Sequence, residues 1–193
     1  MTSDNIREVA LRHFSRNGYK GASLADISAE VGIKKQSIYA HFSGKDELFL
    51  SVFREVAARE ELFVEEYLKR SGLLSLEKML YGFLSEYRKR YKREEDTKFF
   101  LRMAFFPPRH LQKEIVEYCN RHLDRMGEQL APYFESAANS GGMDPEVTTE
   151  RALAAFTAVL DGVFVEMLYG GFESSLKRLD ASWYIYWRGV RNN

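Results

Sequence analysis

Gly32 divides two short stretches of different character, and that break constrains what the first fifty residues can fold into. Before it, Leu24, Ile27 and Val31 recur at i, i+3 and i+7, one face of a helix. Ser23 offers a hydroxyl to the free amides of the first turn, and Asp26 suits the positive end of the helix dipole. Glycine takes left-handed backbone angles without strain, so a turn belongs at Gly32, with Ile33 placed to plug the core beneath it. After it, Ile38 and Phe42 stand four apart and face inward on a second helix spanning Lys34 to Phe42. That leaves Lys34, Lys35, Gln36, Ser37, Tyr39 and His41 for its outside or rim. Lys45 opens a longer helix, whose free amides and ammonium together suit a phosphate.

Each outward side chain has a use on duplex DNA. Lysine neutralises phosphate or bonds a guanine edge, glutamine pairs with adenine, and Ser and Tyr hydroxyls reach phosphate oxygens. Taken singly, a lysine pair is an ordinary solvated face, and a lone Tyr or His at a helix end is an ordinary packed residue. The order and spacing of the whole segment point to a helix-turn-helix, which lays one helix in the major groove.

Helical spacing continues through the rest of the 193 residues, and no stretch alternates like a strand. The pattern predicts a first helix over 4–17, ended by Gly18, with Ile6, Val9, Ala10 and Phe14 inward. After the two short helices, a fourth runs from Lys45 to about Arg70, a fifth over 75–93 and a sixth over 97–106, stopped by Pro107-Pro108. A seventh covers about 110–139 with a kink at Pro132. Asp144-Pro145-Glu146 marks the start of an eighth that reaches Tyr169, and a ninth covers 174–190. The fold class is therefore all-α, about nine helices. Residues 1–50 form a helix-turn-helix head, joined by a long helix to a larger helical domain at 51–193.

The charge balance refines this. Twenty-eight basic residues offset 28 acidic ones, so a small DNA-reading face on a neutral body fits better than a protein basic all over. Affinity then depends on where charges point and on doubling the site by dimerisation. One cysteine excludes an internal disulfide and suits a reducing cytoplasm, the polar start lacks a signal-peptide pattern, and no apolar run approaches the roughly 18 residues of a membrane span.

The segment from about Ile6 to Phe53 resembles the TetR family of bacterial transcriptional regulators. The likeness rests on Ala10, Phe14, Gly18, Tyr19, Ser23, Ile27, Ala29, Val31, Gly32, Ile33, Ser37, Ile38, Tyr39, Phe42, Lys45, Leu48 and Phe49, and most of all on the run from Ser37 to Leu48. The resemblance implies that the helix bearing Tyr39 is the recognition helix. Positions matching Ser23, Tyr39, His41 and Lys45 then touch the DNA backbone, and Lys35, Gln36 and Ser37 approach bases. Lys34 and Gln36 stand where small residues are common, so the operator cannot be borrowed from a relative.

The body has two features of its own. Phe156, Val159, Leu160, Val163 and Met167 form a stripe, as do Leu176, Leu179, Trp183, Tyr186 and Val190. These two helices either cap the core or, as the resemblance implies, pack against a second copy. The expected interface comprises Val159, Val163, Met167, Leu179, Trp183, Tyr186 and Trp187. A two-fold dimer then sets two recognition helices about 34–36 Å apart, or a multiple of that. The middle helices are rich in aromatics and methionine, which reads either as core or as a pocket for an apolar or aromatic effector. Family members commonly bind small effectors in this domain. The pocket candidates are Phe83, Tyr87, Phe100, Met103, Tyr118, Phe156, Leu160 and Phe164. Entry of a ligand beside the sixth helix would push the fourth and change the spacing of the heads.

The run 88–93 carries five basic residues, yet Glu94, Glu95 and Asp96 follow it, so a solvated helix end is the better reading than a second nucleic-acid patch. Cys119 and His122 are half of a metal site at most, and no Gly-rich phosphate loop, His-Glu-x-x-His or Gly-x-Ser-x-Gly pattern occurs. No catalytic residue, metal or cofactor is expected. The function expected is a cytoplasmic, homodimeric repressor that a small effector releases from double-stranded operator DNA. The alternatives are an all-helical carrier or enzyme whose head no longer reads DNA, and a regulator controlled by a protein partner.

Overall fold

The computed structural model describes residues 3–192. Nine helices account for most of them, and the β-structure among the described residues is one antiparallel bridge between Met143 and Arg191. The chain forms two compact units. One comprises residues 1–60 and 94–117, the other 61–93 and 118–193. The first unit thus extends beyond the head expected at 1–50, because the sixth helix belongs to it.

In the first unit, α1 (Ser3–Gly21) is broken at Gly18, whose φ of 66° is left-handed. It buries Ile6, Val9, Ala10, Leu11 and Phe14. α2 (Leu24–Val31) buries Leu24, Ile27 and Val31, as their spacing requires. α3 (Lys35–Ile38) is much shorter than the span 34–42 read from the sequence. Its chain continues as hydrogen-bonded turns, with His41 and Phe42 both donating to the Ile38 carbonyl at 2.9 Å. α4 (Lys45–Ser71) begins in this unit and continues into the other. Its Phe49 ring meets Phe14 edge-on at 4.8 Å. α6 (Glu95–Phe105) brings Phe99 to 5.7 Å from Phe49 and Phe100 to 6.0 Å from Phe53. Arg59 pairs with Asp96 at 2.5 Å, and Glu60 and Thr97, both fully buried, share a hydrogen bond of 2.8 Å.

In the second unit, the later part of α4 packs with α5 (Leu76–Arg93) through Phe63, Tyr67, Phe83 and Tyr87, whose ring centroids lie 5.0–6.1 Å apart. α7 (Gln112–Asn139) starts in the first unit and runs without a break through Pro132. α8 (Thr149–Tyr169) and α9 (Gly171–Val190) form a hairpin that packs on α5. α8 does not start at the expected Asp144-Pro145-Glu146. There Asp144 accepts from the Glu146 amide at 2.8 Å and closes a turn, while Thr148 caps the helix through the Arg151 amide at 3.2 Å.

The basic run at the end of α5 is drawn into this packing. Arg88 is buried, donating to Ser175 Oγ at 2.9 Å and to the Phe172 carbonyl at 2.8 Å. Arg90 lies over the Phe63 ring and Lys92 over the Phe172 ring.

α8 also corrects the expectation that no segment is apolar enough to span a membrane. By length and composition it is, with a mean hydropathy of 1.6, because small apolar residues outweigh Asp161 and Glu166. Its inner face, with Ala152, Phe156, Leu160, Val163 and Met167, is buried within the unit.

Candidate nucleic-acid interface

The turn at Gly32 is built as its sequence dictates. Ser23 Oγ accepts from the Asp26 amide at 3.1 Å and donates to the Asp26 carboxylate at 2.7 Å. Gly32 adopts φ 78°, ψ 33°, its N–H reaching the Ala29 carbonyl at 3.2 Å, and Ile33 N–H reaches the Ser28 carbonyl at 2.9 Å. This paired closure satisfies the last carbonyls of α2 and turns the chain sharply. Lys34 takes the cap position of α3 with no side-chain bond to the helix.

The burial of Ile38 and Phe42 orients everything else on this segment. Lys34, Lys35, Gln36, Ser37, Tyr39 and His41 are all exposed, while Ser23 and Lys45 are half-buried. Tyr39 keeps half of its surface open. Among the described residues, neither Lys34 nor Lys35 pairs with a carboxylate.

Acids of the neighbouring elements are engaged with side chains and amides of their own surroundings. Glu30 accepts from Arg12 at 2.7 Å and from His13 at 2.8 Å, bonds that hold its carboxyl below the usual range. Glu47 accepts from Ser43, which lowers its pKa as well. Asp46 accepts from the Tyr19 hydroxyl and from His110 at 3.3 Å, and its pKa is lowered chiefly by the Tyr19 bond. The lysines therefore present an excess of positive charge at the surface of an otherwise neutral chain.

Lys45 is the first residue of α4, and its ammonium lies 4.4 Å from the centre of the Tyr19 ring. Desolvation there lowers its pKa, against the opposing influence of Asp46. Burial, reinforced by the Asp46 carboxylate, pushes the Tyr19 hydroxyl up to about 12, so it stays a donor. Of the residues around this amine, Tyr19 was named from the sequence only as part of the family likeness, and Asp46 and His110 were given no role there. His110 stands 64 residues from Asp46, and no local pattern signals that pairing.

A sequence model of the bacterial regulatory proteins of the tetR family matches residues 6–52, the stretch that carries this geometry. A transcriptional repressor of Corynebacterium diphtheriae, AcnR, is 26% identical over 93% of this chain and 87% of its own length. Residues 6–52 carry the DNA-binding segment of the TetR family. The chain is a DNA-binding transcriptional regulator, like these relatives. The negative regulator IcaR of the biofilm operon icaADBC in Staphylococcus epidermidis is 26% identical over 68% of this chain and 69% of its own. The fold recurs in the transcriptional regulator FadR of Bacillus subtilis, solved in complex with stearoyl-CoA. It has a TM-score of 0.74 and 15% identity, and the match covers 98% of this chain and 100% of that one.

The other nominated residues are distributed as follows. Phe83, Tyr87, Phe156, Leu160 and Phe164 are buried in the second unit. There Tyr87 lies 5.0 Å from both Phe83 and Phe164, and Phe83 6.3 Å from Phe156. Phe100 and Met103 belong to the first unit. Tyr118 lines a charged cleft of about 510 Å³ with Glu61, Arg121, Asp124, Arg125 and Glu128.

Of the residues nominated for a dimer seam, Val163, Met167, Leu179, Trp183 and Tyr186 are buried inside the subunit, and Val159 and Trp187 are half-buried. Tyr186 donates to the Ala152 carbonyl at 3.0 Å. The outward face of the hairpin is instead Ala154, Ala155, Ala158, Val165 and Tyr169 on α8 and Ala181, Tyr184 and Ile185 on α9. The most apolar stripe of each helix serves the subunit's own core, and a milder stripe opposite it meets the outside. Cys119 and His122 are on α7 within the second unit. No group of three His, Cys, Asp or Glu placed to hold a metal occurs among the described residues.

Proposed function

We propose that this chain is a homodimeric repressor of a (pseudo)palindromic operator in the bacterial cytoplasm, released by a small apolar or aromatic effector. The observation that carries the DNA reading is the exposed row from Lys34, at the cap of α3, to Ser37, together with Lys45 at the start of α4 and with neighbouring acids engaged elsewhere. Lys35, Gln36 and Ser37 read bases. Lys34, Tyr39, His41, Lys45 and Ser23 hold the phosphates. Selecting bound fragments from bacterial genomic DNA would test it. A shared two-fold site is the expected result, whereas uniform, weak, salt-dependent binding to all fragments would sink it and favour a carrier.

The dimer is supported by the uncovered outer face of the hairpin. Ile185 is 70% exposed, Tyr169 72%, Tyr184 58% and Val165 38%, and apolar residues gathered on one face are an interaction surface. Names of relatives support repression, since AcnR and IcaR are a repressor and a negative regulator.

The effector reading is supported by the aromatic lining of the second unit and by the regulator of like fold that holds stearoyl-CoA. The rings form a chain, Phe156 to Phe83 to Tyr87 to Phe164, with neighbouring centroids 5.0–6.3 Å apart. A ligand among them must therefore part them, and its affinity for the DNA-free state must exceed that for the DNA-bound state to cause release. Stearoyl-CoA is a suitable first probe. A raised melting temperature together with loss of the operator complex is expected for a long-chain acyl effector, and neither change would exclude that class.

A further inference from the structure

We propose that His110, on the connection between α6 and α7, is a positioning residue for DNA binding: it fixes the Tyr19 ring on which the Lys45 ammonium rests. The proposal rests on the reading of Lys45 as a phosphate contact. Four side chains from three parts of the first unit meet at the start of α4. His110 Nε2 lies 3.3 Å from Asp46 Oδ1, and since a carboxylate only accepts, that nitrogen carries the proton. The same Oδ1 accepts from the Tyr19 hydroxyl. The His110 and Tyr19 rings meet edge to face at 4.7 Å, and the far side of the Tyr19 arrangement is set by Phe49 at 5.2 Å and Phe14 at 6.4 Å. Lys45 Nζ then stands 4.4 Å from the Tyr19 centroid.

Both bonds to Asp46 matter for Lys45. They occupy the carboxylate adjacent to it in sequence, which would otherwise be free to turn toward the ammonium and neutralise it. They also hold the aromatic face that keeps the ammonium in place. An ammonium positioned beforehand loses less freedom when it meets a phosphate. His110 and Asp46 are each about half exposed, at 48% and 53%, so the bond itself adds little stability. Its effect is geometric. His110 lies two residues ahead of α7, so the start of that helix is tied to the amine.

A double-mutant cycle tests this, using a selected operator fragment and the full chain. His110→Ala is expected to weaken binding about two- to fivefold, the worth of one exposed cation–π contact. In a Lys45→Ala background the same substitution is expected to change affinity no further. His110→Gln, which keeps a donor to Asp46, should restore more of the affinity than His110→Phe, which keeps only a ring. An equal loss in both backgrounds, or no loss in the wild type, would overturn the proposal while leaving Lys45 as a phosphate contact. Were Lys45→Ala alone to leave affinity and salt slope unchanged, the phosphate contact itself would be wrong, and the role of His110 would fall with it.

Discussion

Single side chains carry separate jobs in this regulator. Gln36 is exposed on α3 and has two donors and an acceptor to offer a base edge. Gln36→Ala should relax preference at one operator position, at a cost of about 1–3 kcal/mol, with the salt slope unchanged. Lys45→Ala should do the opposite, weakening all sequences alike and lowering the salt slope by about one ion per subunit, about two for the dimer on its operator. Titrations of wild-type and mutant operators at several salt concentrations separate the two.

His122 belongs to stability instead. Burial, with a smaller push from Arg125, holds its imidazole down to about 4, so it stays neutral in the fold. The unfolded chain takes up a proton near pH 6.5, its ordinary value. Stability is therefore lost as pH falls below 6.5, and the loss levels off below about 4, approaching about 3 kcal/mol. Urea titrations at pH 7 and 4.5 would measure it. Trp183 and Trp187, the only tryptophans, both report on the second unit, to which His122 also belongs. His122→Leu should flatten this part of the profile while leaving the acid loss due to carboxylates.

At the scale of elements, packing of α4 against α5 depends on an absent side chain. A Cβ on Gly82 would run into Tyr67 Oη, which donates to the Met79 carbonyl at 2.8 Å. Gly82→Ala adds helix propensity yet should destabilise the second unit by about 1–3 kcal/mol through overpacking. Tyr67→Phe added to it should recover part of that loss, and chemical denaturation of the four combinations gives the coupling. Nothing in the sequence marked Gly82, because a glycine inside a helical pattern looks the same whether it is tolerated or required.

What was legible were features with a local cause. Ile38 and Phe42, four apart, fixed which way the lysines face, and Gly32 fixed the turn. Features set by distant partners were not legible. The placement of α6 in the first unit and the Asp46–His110 bond both depend on long-range contacts. The residues nominated for a dimer seam illustrate how spacing selects a face. Both stripes of α8 are apolar, and periodicity alone picks the stronger, which the subunit keeps for itself.

For the whole molecule, the question is what covers the outside of the hairpin. α8 is apolar enough to suit a bilayer, yet two thirds of its apolar stretch is not buried within the subunit. A second copy meeting it about a two-fold axis would bury that face with itself, and each residue of such an interface counts twice. Ile185→Glu tests this with little disturbance of the subunit, since the side chain is 70% exposed and glutamate is a good helix former. On the proposed dimer the two copies of the charge would be desolvated. The expected cost is about 2 kcal/mol for each, together roughly a thousandfold weaker association. Sedimentation velocity should then find a monomer with an unchanged melting curve at low concentration. Its affinity for a half-site should be kept and its affinity for the full operator lost. Leu74→Glu, on the loop after α4, is equally apolar in origin and half exposed, and should leave the dimer intact. A dimer that survived Ile185→Glu would mean that another surface joins the subunits.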